Sequence, residues 1–438
     1  MTETSAPAAG RGAGGQRGPL RIAVIANQFP ALSETFVLNH VIGLLQRGHH
    51  VRVFARRPRP EALVHAAFSE YDLAGLTTYA PSDWTSLGNR FPRFYGWIEQ
   101  SGWETQLWRL IRQTGLVELV SPLAGQSFDI IHCHFGPNGM RAVIWDDVSP
   151  LLGKLVTAFH GYDVSILPKA RGRRLYAPLF RRGDLFLPVS EFFARRLVAL
   201  GCPPEKMRVY PMGVDNARFP YRERAIGPDG RVRILSVGRL VEKKGFEIGI
   251  RAFVAATRGL PGVEYRIVGD GQLRARLAAL VDQLGAADRI HFTGALDHVG
   301  VARELDAAHV LLAPSLTPVS GDQEGRPLSI QEAMASGIAV VTSDHAGIPE
   351  LIEDGKTGWV APEGDVAGLA ERLRAVVTAP ERWAERTRAA RAFVERHQDH
   401  ERLIDQLVEI YYELLGRSEP AAVASAQPPA VPTAAPAH

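Results

Sequence analysis

Two carboxylates bracket a glycine- and proline-containing junction in the stretch EGRPLSIQEAMASG, residues 324–337. Glu324 precedes a segment with helical spacing, and Glu332 lies about two turns further along the chain. A carboxylate at the first position can accept hydrogen bonds from two hydroxyls of a polyol, and one at the second can accept from a diol. Pro327 suits a first helical turn, so the backbone N–H groups around it are free to bind an anion. The pattern predicts a ligand with hydroxyls at both ends and negative charge between them.

Two cations strengthen the prediction of an anion site. VGRLVEKKG places Arg239 at the end of an apolar strand and Lys244 five residues later, before a helix. The planar fork of arginine and the mobile ammonium of lysine suit a diphosphate. Together with the two acids, these cations indicate a nucleotide sugar. The alternative is that both cations are solvated surface residues.

Glu332 has a second interpretation. Ser329 and Glu332 show the Ser-x-x-Glu spacing of a capping box, in which the glutamate satisfies a backbone N–H at the helix start. The residues alone leave both the ribose-binding and the capping interpretations open.

Three histidines follow or lie within apolar runs. His160, in LVTAFHGYD, is expected at a strand end that faces a cleft, although it could also be hydrogen-bonded within its loop. His132 and His134 alternate as metal ligands might, but we find no carboxylate or further histidine at ligand spacing. The chain also has no Asp-x-Asp that could hold a metal on a diphosphate. We therefore predict no metal and no cofactor, with cations and the helix start neutralising the phosphates.

The turn VGDG contains Gly269 and Gly271 between a strand and a helix. It lacks the third glycine of a dinucleotide-binding fingerprint. We interpret it as a tight turn that lets a base or ribose approach the backbone at Gly269.

Strands alternating with helices position these residues. LRIAVIANQFP predicts a strand, and the next run predicts a helix with Ser33 as its N-cap and Gly48 beyond its end. A second βαβ series starts at Val232, after a polar seam over residues 211–229. This order predicts an α/β protein with two doubly wound, Rossmann-like domains facing each other across a cleft.

Composition and sequence pattern predict the domain boundaries and exclude some classes of protein. The boundaries predicted are a disordered leader (1–19), an N-terminal acceptor-side domain (20–215), a C-terminal nucleotide-sugar domain (230–390), a helix (400–416) and a disordered Pro/Ala-rich tail (417–438). Residues 60–125, rich in aromatics, predict a helical insertion. The net charge of +3 is too small to indicate nucleic acid, and two cysteines among 438 residues indicate a reducing, cytoplasmic setting. No apolar run is long enough to span a bilayer.

A basic segment, Lys169–Arg182, holds six cations with Tyr176 and Phe180 between them. Such a face could rest on the anionic inner surface of the cell membrane. A solvated basic helix is the equally weighted alternative.

Taken together, these motifs resemble the family 4 retaining glycosyltransferases of GT-B fold. The resemblance spans about residues 20–415 and rests on FPALSETFVLNH, TAFHGYD, LPVSEFFARRLVALG, VYPMGVD, VGRLVEKKG, RIVGDG, FTGAL and EGRPLSIQEAMASGIAVVTSDHAGIPELI. SETFVLNH and SGDQEGRP are similar to the branch of exopolysaccharide and colanic-acid-type synthesis. The resemblance implies transfer of a hexose, with retention and without an essential metal, from a UDP- or GDP-sugar to a saccharide or lipid-linked saccharide.

The resemblance also implies roles at matching positions. Arg239 and Lys244 would bind the diphosphate. Glu324, with the amides of Gly325 and Arg326, would hold the sugar hydroxyls.

Further roles follow from the same resemblance. Leu328 and Ser329 would lie near the phosphates, and Glu332 would take the ribose. His160 would lie beside the sugar and its anomeric carbon. The segment near Leu296 would meet the base through its backbone. The leaving phosphate would help to deprotonate the acceptor, so that no enzymic nucleophile is needed.

Two departures from the family pattern affect these roles. Many relatives carry a Gly-Gly loop after the first strand, where this chain has ALSET, so Glu34 and Thr35 are the substitute candidates there. Arg326 occupies a position that is often apolar or aromatic, and it could add a phosphate or sugar contact or only a surface charge. An epimerase or phosphorylase of the same fold, and a non-catalytic nucleotide-sugar-binding subunit, are the alternative functions.

Overall fold

The computed structural model describes residues 17–31, 34–57, 66–79 and 122–417. Within these ranges the chain forms two six-stranded sheets, one in each half, in which every pairing is parallel. The predicted α/β architecture with two doubly wound domains is confirmed.

The N-terminal sheet has the spatial order β3-β2-β1-β4-β5-β6. Its strands are β1 (Arg21–Gln28), β2 (His50–Arg57), β3 (Thr77–Tyr79), β4 (Ser127–His134), β5 (Leu152–Phe159) and β6 (Leu185–Pro188). The helices of this half are α1 (Thr35–Gln46), α2 (Ala66–Glu70), α3 (Leu73–Leu76), α4 (Gly136–Val148), α5 (Ile166–Arg171), α6 (Ala177–Arg182) and α7 (Glu191–Ala199). Because helices cover both faces, strands such as β1 are continuously apolar.

The C-terminal sheet has the order β12-β11-β10-β7-β8-β9. Its strands are β7 (Val232–Val237), β8 (Val263–Val268), β9 (Ile290–Gly294), β10 (Val310–Ala313), β11 (Ala339–Ser343) and β12 (Trp359–Ala361). Its helices are α8 (Phe246–Ala256), α9 (Arg274–Gln283), α10 (His298–Ala307), α11 (Leu328–Ser336), α12 (Val366–Thr378) and α13 (Trp383–His397). Short 3-10 turns lie at Pro204–Lys206, Glu242–Lys244, Ile348–Glu350 and Pro380–Arg382.

The last helix, α14 (His400–Leu414), returns to the N-terminal half. Its buried residues Leu407, Val408, Tyr411 and Tyr412 belong to the same core as α1, β1 and β2. The sequence left open which half this helix packs on, and the structure places it on the first. The start of the chain is tied to it as well, because Arg17 donates to Glu409 at 2.8 Å.

The C-terminal end of α1 agrees with the sequence prediction, and its N-terminal end differs from it. Gly48 lies just past the helix at φ +77°, where a side chain would be strained, as the sequence predicts. The N-cap is Glu34 rather than Ser33, because the helix begins at Thr35; the N–H of Glu34 donates to the carbonyl of Ala31 in the preceding turn. Ser33 itself lies outside the described residues.

Several predictions concern residues that the structure does not describe. Of the predicted leader and tail, only residues 17–19 and 417 are described, and of the insertion over 60–125 only 66–79 and 122–125. Among the helices in the described ranges, none combines the length and the apolar content that crossing a membrane requires.

The two halves approach each other closely at two glycines. A Cβ on Gly325 would lie 2.8 Å from the carbonyl oxygen of His160, and one on Gly161 would lie 3.2 Å from that of Gln323. Neither position tolerates a side chain without displacing backbone. The loop before α11 therefore meets the end of β5, which brings the two predicted halves of the site together.

Candidate functional site

Glu324 lies in the loop before α11 and is 8% exposed. The Nζ atoms of Lys244 and Lys243 lie 3.3 Å and 3.6 Å from its Oε1. Burial acts to raise the pKa of this carboxyl, but the two ammonium groups outweigh it and lower the pKa to about 2. The side chain is therefore ionised at physiological pH and can accept hydroxyl hydrogen bonds. The sequence singled out Lys244 but not Lys243, although the two are adjacent in EKKG.

His345 fixes the backbone of the same loop. The N–H of Glu324 donates to Nε2 of His345 at 3.0 Å, and Nδ1 of His345 lies 2.8 Å from Glu363. Because Nε2 accepts, Nδ1 carries the hydrogen and donates to the carboxylate. His345 follows β11, far from Glu324 in the chain, and no spacing in the sequence indicated this contact.

The start of α11 has the uncapped N–H groups on which the predicted anion site depends. The helix begins at Leu328, its N-cap is Pro327, and no side chain caps its first N–H groups. A pocket at this end is lined by Lys244, Ser315, Pro327 and Ser329 together with apolar side chains. The capping box does not form, because Pro327 rather than Ser329 takes the N-cap position. Free amides, a helix dipole and an ammonium group therefore converge on one pocket.

Glu332 lies inside α11 and is partly buried. Burial raises the pKa of its carboxyl to about 7, against the opposing fields of Arg218 and Lys244. Lys244 thus acts on both acids of the motif. Since capping is excluded, the ribose-binding interpretation of Glu332 stands as the prediction that remains.

Glycines shape the strand ends beside this pocket. A Cβ on Gly238 would lie 3.1 Å from Cε of Lys244, so the lysine stem crosses the end of β7. Gly269, at φ +138°, has room for no Cβ, because one would lie 1.9 Å from the carbonyl oxygen of Gly238. Its N–H donates to the carbonyl of Gly294 at 2.9 Å, which ties this turn to the segment that contains Leu296. Arg239, next to Gly238, is exposed.

His160 lies at the end of β5, at the junction of the two halves. Its ring packs against Phe36, with centroids 4.5 Å apart, and Nε2 lies 3.1 Å from Nδ1 of His134. Its backbone N–H donates to Asp163 within the loop. Burial lowers the pKa of the His160 imidazole to about 3, with a further contribution from His40. The ring is neutral, and it bonds to a neighbouring strand rather than within its own loop.

A third histidine joins the pair in β4. Ring nitrogens of His40, His132 and His134 lie within 4.8 Å of one another, a grouping that could hold a metal ion. The expectation that no further histidine supports the pair is therefore wrong, because α1 brings His40 over β4 from a distant part of the chain. His40 Nδ1 lies 2.9 Å from Nε2 of His134, so these two rings already pair with each other.

Arg326 contacts the other half of the protein through Glu350. The guanidinium donates to Oε2 of Glu350 at 2.8 Å, and the same carboxylate accepts from the backbone N–H groups of Glu191 and Phe192 at 2.9 Å and 2.7 Å. A carboxylate at the N-terminus of α7 is favoured by the helix dipole. Arg326 thus binds the Glu350 carboxylate, and this carboxylate connects the α11 loop to the N-terminal half.

The N-terminal loop reaches the same region. Glu34 occupies the N-cap position of α1 without a capping hydrogen bond from its side chain, and Thr35 begins that helix. Burial raises the pKa of the Tyr162 hydroxyl, and the charges of Asp163 and Glu34 add to this. Glu34 therefore lies near the His160 loop, where a contact with substrate was predicted.

The basic segment Lys169–Arg182 differs from its expected form. Tyr176 and Phe180 are buried at 1% and 3% exposure, so neither aromatic lies on the surface. Arg182 pairs with Asp146 and Asp147. Lys169 donates to the carbonyl of Val319 at 2.9 Å, across the two halves. Lys169, Arg181 and Arg182 are exposed as well, and Arg171, Arg173 and Arg174 form the exposed cationic surface between them in the chain.

Comparison with known families adds an independent line of evidence. Residues 33–218 match the family Glycosyltransferase Family 4, and residues 220–393 match Glycosyl transferases group 1. The putative colanic acid biosynthesis glycosyltransferase WcaL of Salmonella typhimurium is 36% identical over 81% of this chain and 90% of its own length. The amylovoran biosynthesis glycosyltransferase AmsK of Erwinia amylovora is 35% identical over 90% of this chain and 100% of its own.

Solved structures support the fold. Anabaena HepE in complex with UDP-glucose superposes with a TM-score of 0.67 at 17% identity, covering 90% of this chain and 100% of that one. Sucrose-phosphate synthase from Thermosynechococcus elongatus superposes with a TM-score of 0.66 at 20% identity, covering 91% and 99%. The two-domain arrangement is therefore shared with proteins of very different sequence.

Proposed function

The chain belongs to the family 4 glycosyltransferases of GT-B fold, in the branch of the colanic acid and amylovoran biosynthesis enzymes, and we propose that its donor is a nucleotide diphosphate hexose. The hexose goes, with retention, to a saccharide or lipid-linked saccharide acceptor of exopolysaccharide or cell-surface polysaccharide synthesis. The Anabaena HepE structure is a complex with UDP-glucose, which supports a donor of this class.

One observation carries the proposal: Lys244 lies 3.3 Å from the ionised Glu324, beside the uncapped start of α11. In the proposed complex, the diphosphate lies at the start of α11 beside Lys244 and Ser329, and the exposed Arg239 binds it as well. Its two negative charges gain from the ammonium group and from the helix N-terminus. Lys244 then neutralises the leaving group while Lys243 remains beside Glu324.

The two acids set the orientation of the donor. Glu324 accepts hydrogen bonds from hydroxyls of the sugar, and Glu332 accepts from the ribose diol. Gly325 and Arg326 supply backbone amides at the sugar end. The turn at Gly269 and the backbone near Leu296 border the base.

Transfer then proceeds on one face of the sugar. The bond from the anomeric carbon to the phosphate oxygen breaks as the acceptor oxygen bonds to the same carbon. The acceptor proton passes to the leaving diphosphate, so atoms and charge balance without an enzymic nucleophile. We propose that fixed cations and amides stabilise this leaving group without a metal.

The first prediction tests donor and stereochemistry together. One of the two nucleotides, UDP or GDP, is expected to raise the melting temperature of the protein by mass action, and the one that does so identifies the base of the donor. With the matching nucleotide sugar and an acceptor glycan, the new linkage should keep the donor's anomeric configuration by NMR, in EDTA as in buffer. An inverted product would contradict the scheme, as would turnover that needs an added divalent ion. Turnover of donor without acceptor would indicate an epimerase, and a need for free phosphate would indicate a phosphorylase.

We also propose peripheral contact with the inner face of the cell membrane. The second prediction is that replacing Arg171, Arg173 and Arg174 with glutamine lowers binding to anionic vesicles about 10²-fold at low salt, since each cation contributes about 1 kcal/mol near such a surface. Co-sedimentation measures the bound fraction.

A matched control changes the same net charge on the other half. Arg382, Arg388 and Arg396 are exposed near or on α13, and their replacement should leave pelleting within about twofold of the wild type. Equal pelleting of the two triple variants would end the membrane proposal and leave the donor proposal intact.

A further inference from the structure

Five side chains form an unbroken chain of polar contacts from the cleft into the N-terminal core. His160 Nε2 lies 3.1 Å from His134 Nδ1, and His134 Nε2 lies 2.9 Å from His40 Nδ1. The hydroxyl of Tyr411 lies 3.3 Å from His40 Nε2 and 2.7 Å from His132 Nδ1. The contacts join α1, β4, the end of β5 and α14.

The imidazoles of this chain are neutral. Burial is the main cause that lowers the pKa of each of them, and proximity to the other imidazoles adds to it. A neutral imidazole has one N–H and one bare nitrogen, so a ring that donates at one side accepts at the other. Each contact also needs one hydrogen. Across each imidazole that makes two contacts, the direction of one hydrogen bond therefore fixes the direction of the next.

Two arrangements fill all four contacts with the Tyr411 hydroxyl donating to a histidine; a third, in which the phenol oxygen accepts from both His40 and His132, leaves His160 as it is in the first. In the first, His160 donates to His134, which donates to His40, which donates to Tyr411, whose hydroxyl donates to His132. In the second, every bond is reversed. The chain ends at His160 Nδ1 and His132 Nε2, both buried and without a hydrogen-bond partner in the described residues. Nδ1 of His160 is bare in the first arrangement and protonated in the second.

The distances at Tyr411 favour the first arrangement. Hydroxyl donors bond most often at about 2.7–2.8 Å, and N–H donors most often at about 2.9–3.0 Å, although the two ranges overlap. The contact to His132, at 2.7 Å, has the length of a hydroxyl donation. The contact to His40, at 3.3 Å, suits an imidazole N–H that donates to the phenol oxygen.

We propose that Tyr411, acting through His40 and His134, is a positioning residue that keeps Nδ1 of His160 bare. His160 then offers an acceptor, not a donor, at a nitrogen that is buried and without a partner in the described residues of the unliganded protein, and that would bond a substrate hydroxyl. This inference rests on the proposed function for the identity of that hydroxyl, which belongs to the donor sugar or to the acceptor. A side chain of α14 thereby acts on the end of β5 through α1 and β4.

The third prediction is read in the unliganded protein. Histidine labelled with ¹⁵N should show His160 protonated at Nε2 and bare at Nδ1, with the signals assigned by loss in His160→Gln. Tyr411→Phe should change this pattern to a mixture of tautomers and lower kcat about tenfold, the size of one neutral hydrogen bond. Tyr412→Phe is the matched control. That neighbouring hydroxyl donates to Gly18 at 3.0 Å and lies outside the chain of contacts.

Three results would overturn the inference. They are a protonated Nδ1 in the wild type, identical tautomer patterns in the two phenylalanine variants, and stoichiometric metal bound to the histidines, which would replace the hydrogens between them. The wild-type spectrum decides the first even if Tyr411→Phe does not fold. Because the tautomer is measured without substrate, a failure of sugar transfer would leave this result standing, and the two proposals can be told apart.

Discussion

Replacing Glu324 with glutamine is expected to lower kcat/KM about 10³-fold, the largest effect of any single change considered. Glutamine keeps the shape of the side chain but removes the negative charge from between two lysines. The weaker acceptor holds the sugar hydroxyls less firmly, and Lys243 and Lys244 are left facing each other. The measurement is a steady-state assay well below the melting temperature, with the folded fraction checked by circular dichroism.

Asp322→Asn is the matched control for this change. Asp322 pairs with Lys243 at 3.2 Å but has no proposed contact with substrate. Its loss should change kcat/KM by less than about fivefold, the range of a partly exposed ion pair. If both variants lose activity equally, the effect of Glu324 is a general change of charge around Lys243. A Glu324→Gln protein with normal turnover would leave only a nucleotide-sugar-binding role.

The order of strands and helices was predictable because it depends on local patterns. Continuous apolar runs such as β1 mark strands that are buried on both faces, and Gly48 marks a helix end by its positive φ. The motif residues around Glu324 were predictable for a similar reason. They follow one another in the chain, between a strand and a helix, and in such sheets ligands bind beyond the carboxyl ends of the strands.

The histidine cluster was not predictable, because its members come from elements that are distant in the sequence. His40 lies on α1, Tyr411 on α14 and His132 on β4, and only the packing of both helices on one sheet brings them together. Spacing within β4 alone could not reveal a ligand supplied by another element. The same holds for His345, which reaches the Glu324 backbone from the end of β11.

Competition between local signals explains the remaining differences. The Ser-x-x-Glu pattern of Ser329 and Glu332 predicts a capping box, but Pro327 takes the N-cap position and moves the helix start. For Arg326 the sequence left a phosphate or sugar contact and a surface charge as alternatives, and the structure pairs its guanidinium with Glu350, which accepts from the N-terminus of α7. In both cases a neighbour along the chain or across the cleft offered a better partner than the pattern could show.

Glu332→Gln is expected to weaken nucleoside diphosphate binding about 10²-fold at pH 8, since a carboxylate accepting two hydroxyls contributes about 3 kcal/mol. The effect should shrink at lower pH. Burial raises the pKa of this carboxyl to about 7, so the unliganded side chain is mostly protonated at pH 6 and ionised at pH 8. Between these limits the wild-type affinity should rise about tenfold more than that of the variant. Calorimetric titration of the wild type and the variant at both pH values gives the ratio of their changes in affinity. Ionisation of the diphosphate affects both proteins equally and cancels from this ratio.

The free energy of unfolding should fall as the pH rises, whereas the binding affinity should increase. The folded pKa of Glu332 lies above its ordinary value of 4.5, so the folded state binds an extra proton between pH 4.5 and 7. This site therefore loses stability as the pH rises through that window, by about 1–3 kcal/mol in total. Glu332→Gln should consequently unfold at higher denaturant concentration than the wild type at pH 8, while the two converge near pH 5. A residue that destabilises the empty protein and strengthens binding is expected of a ligand site. A structural cap would lower stability when removed at every pH, and that result would contradict the role assigned to Glu332.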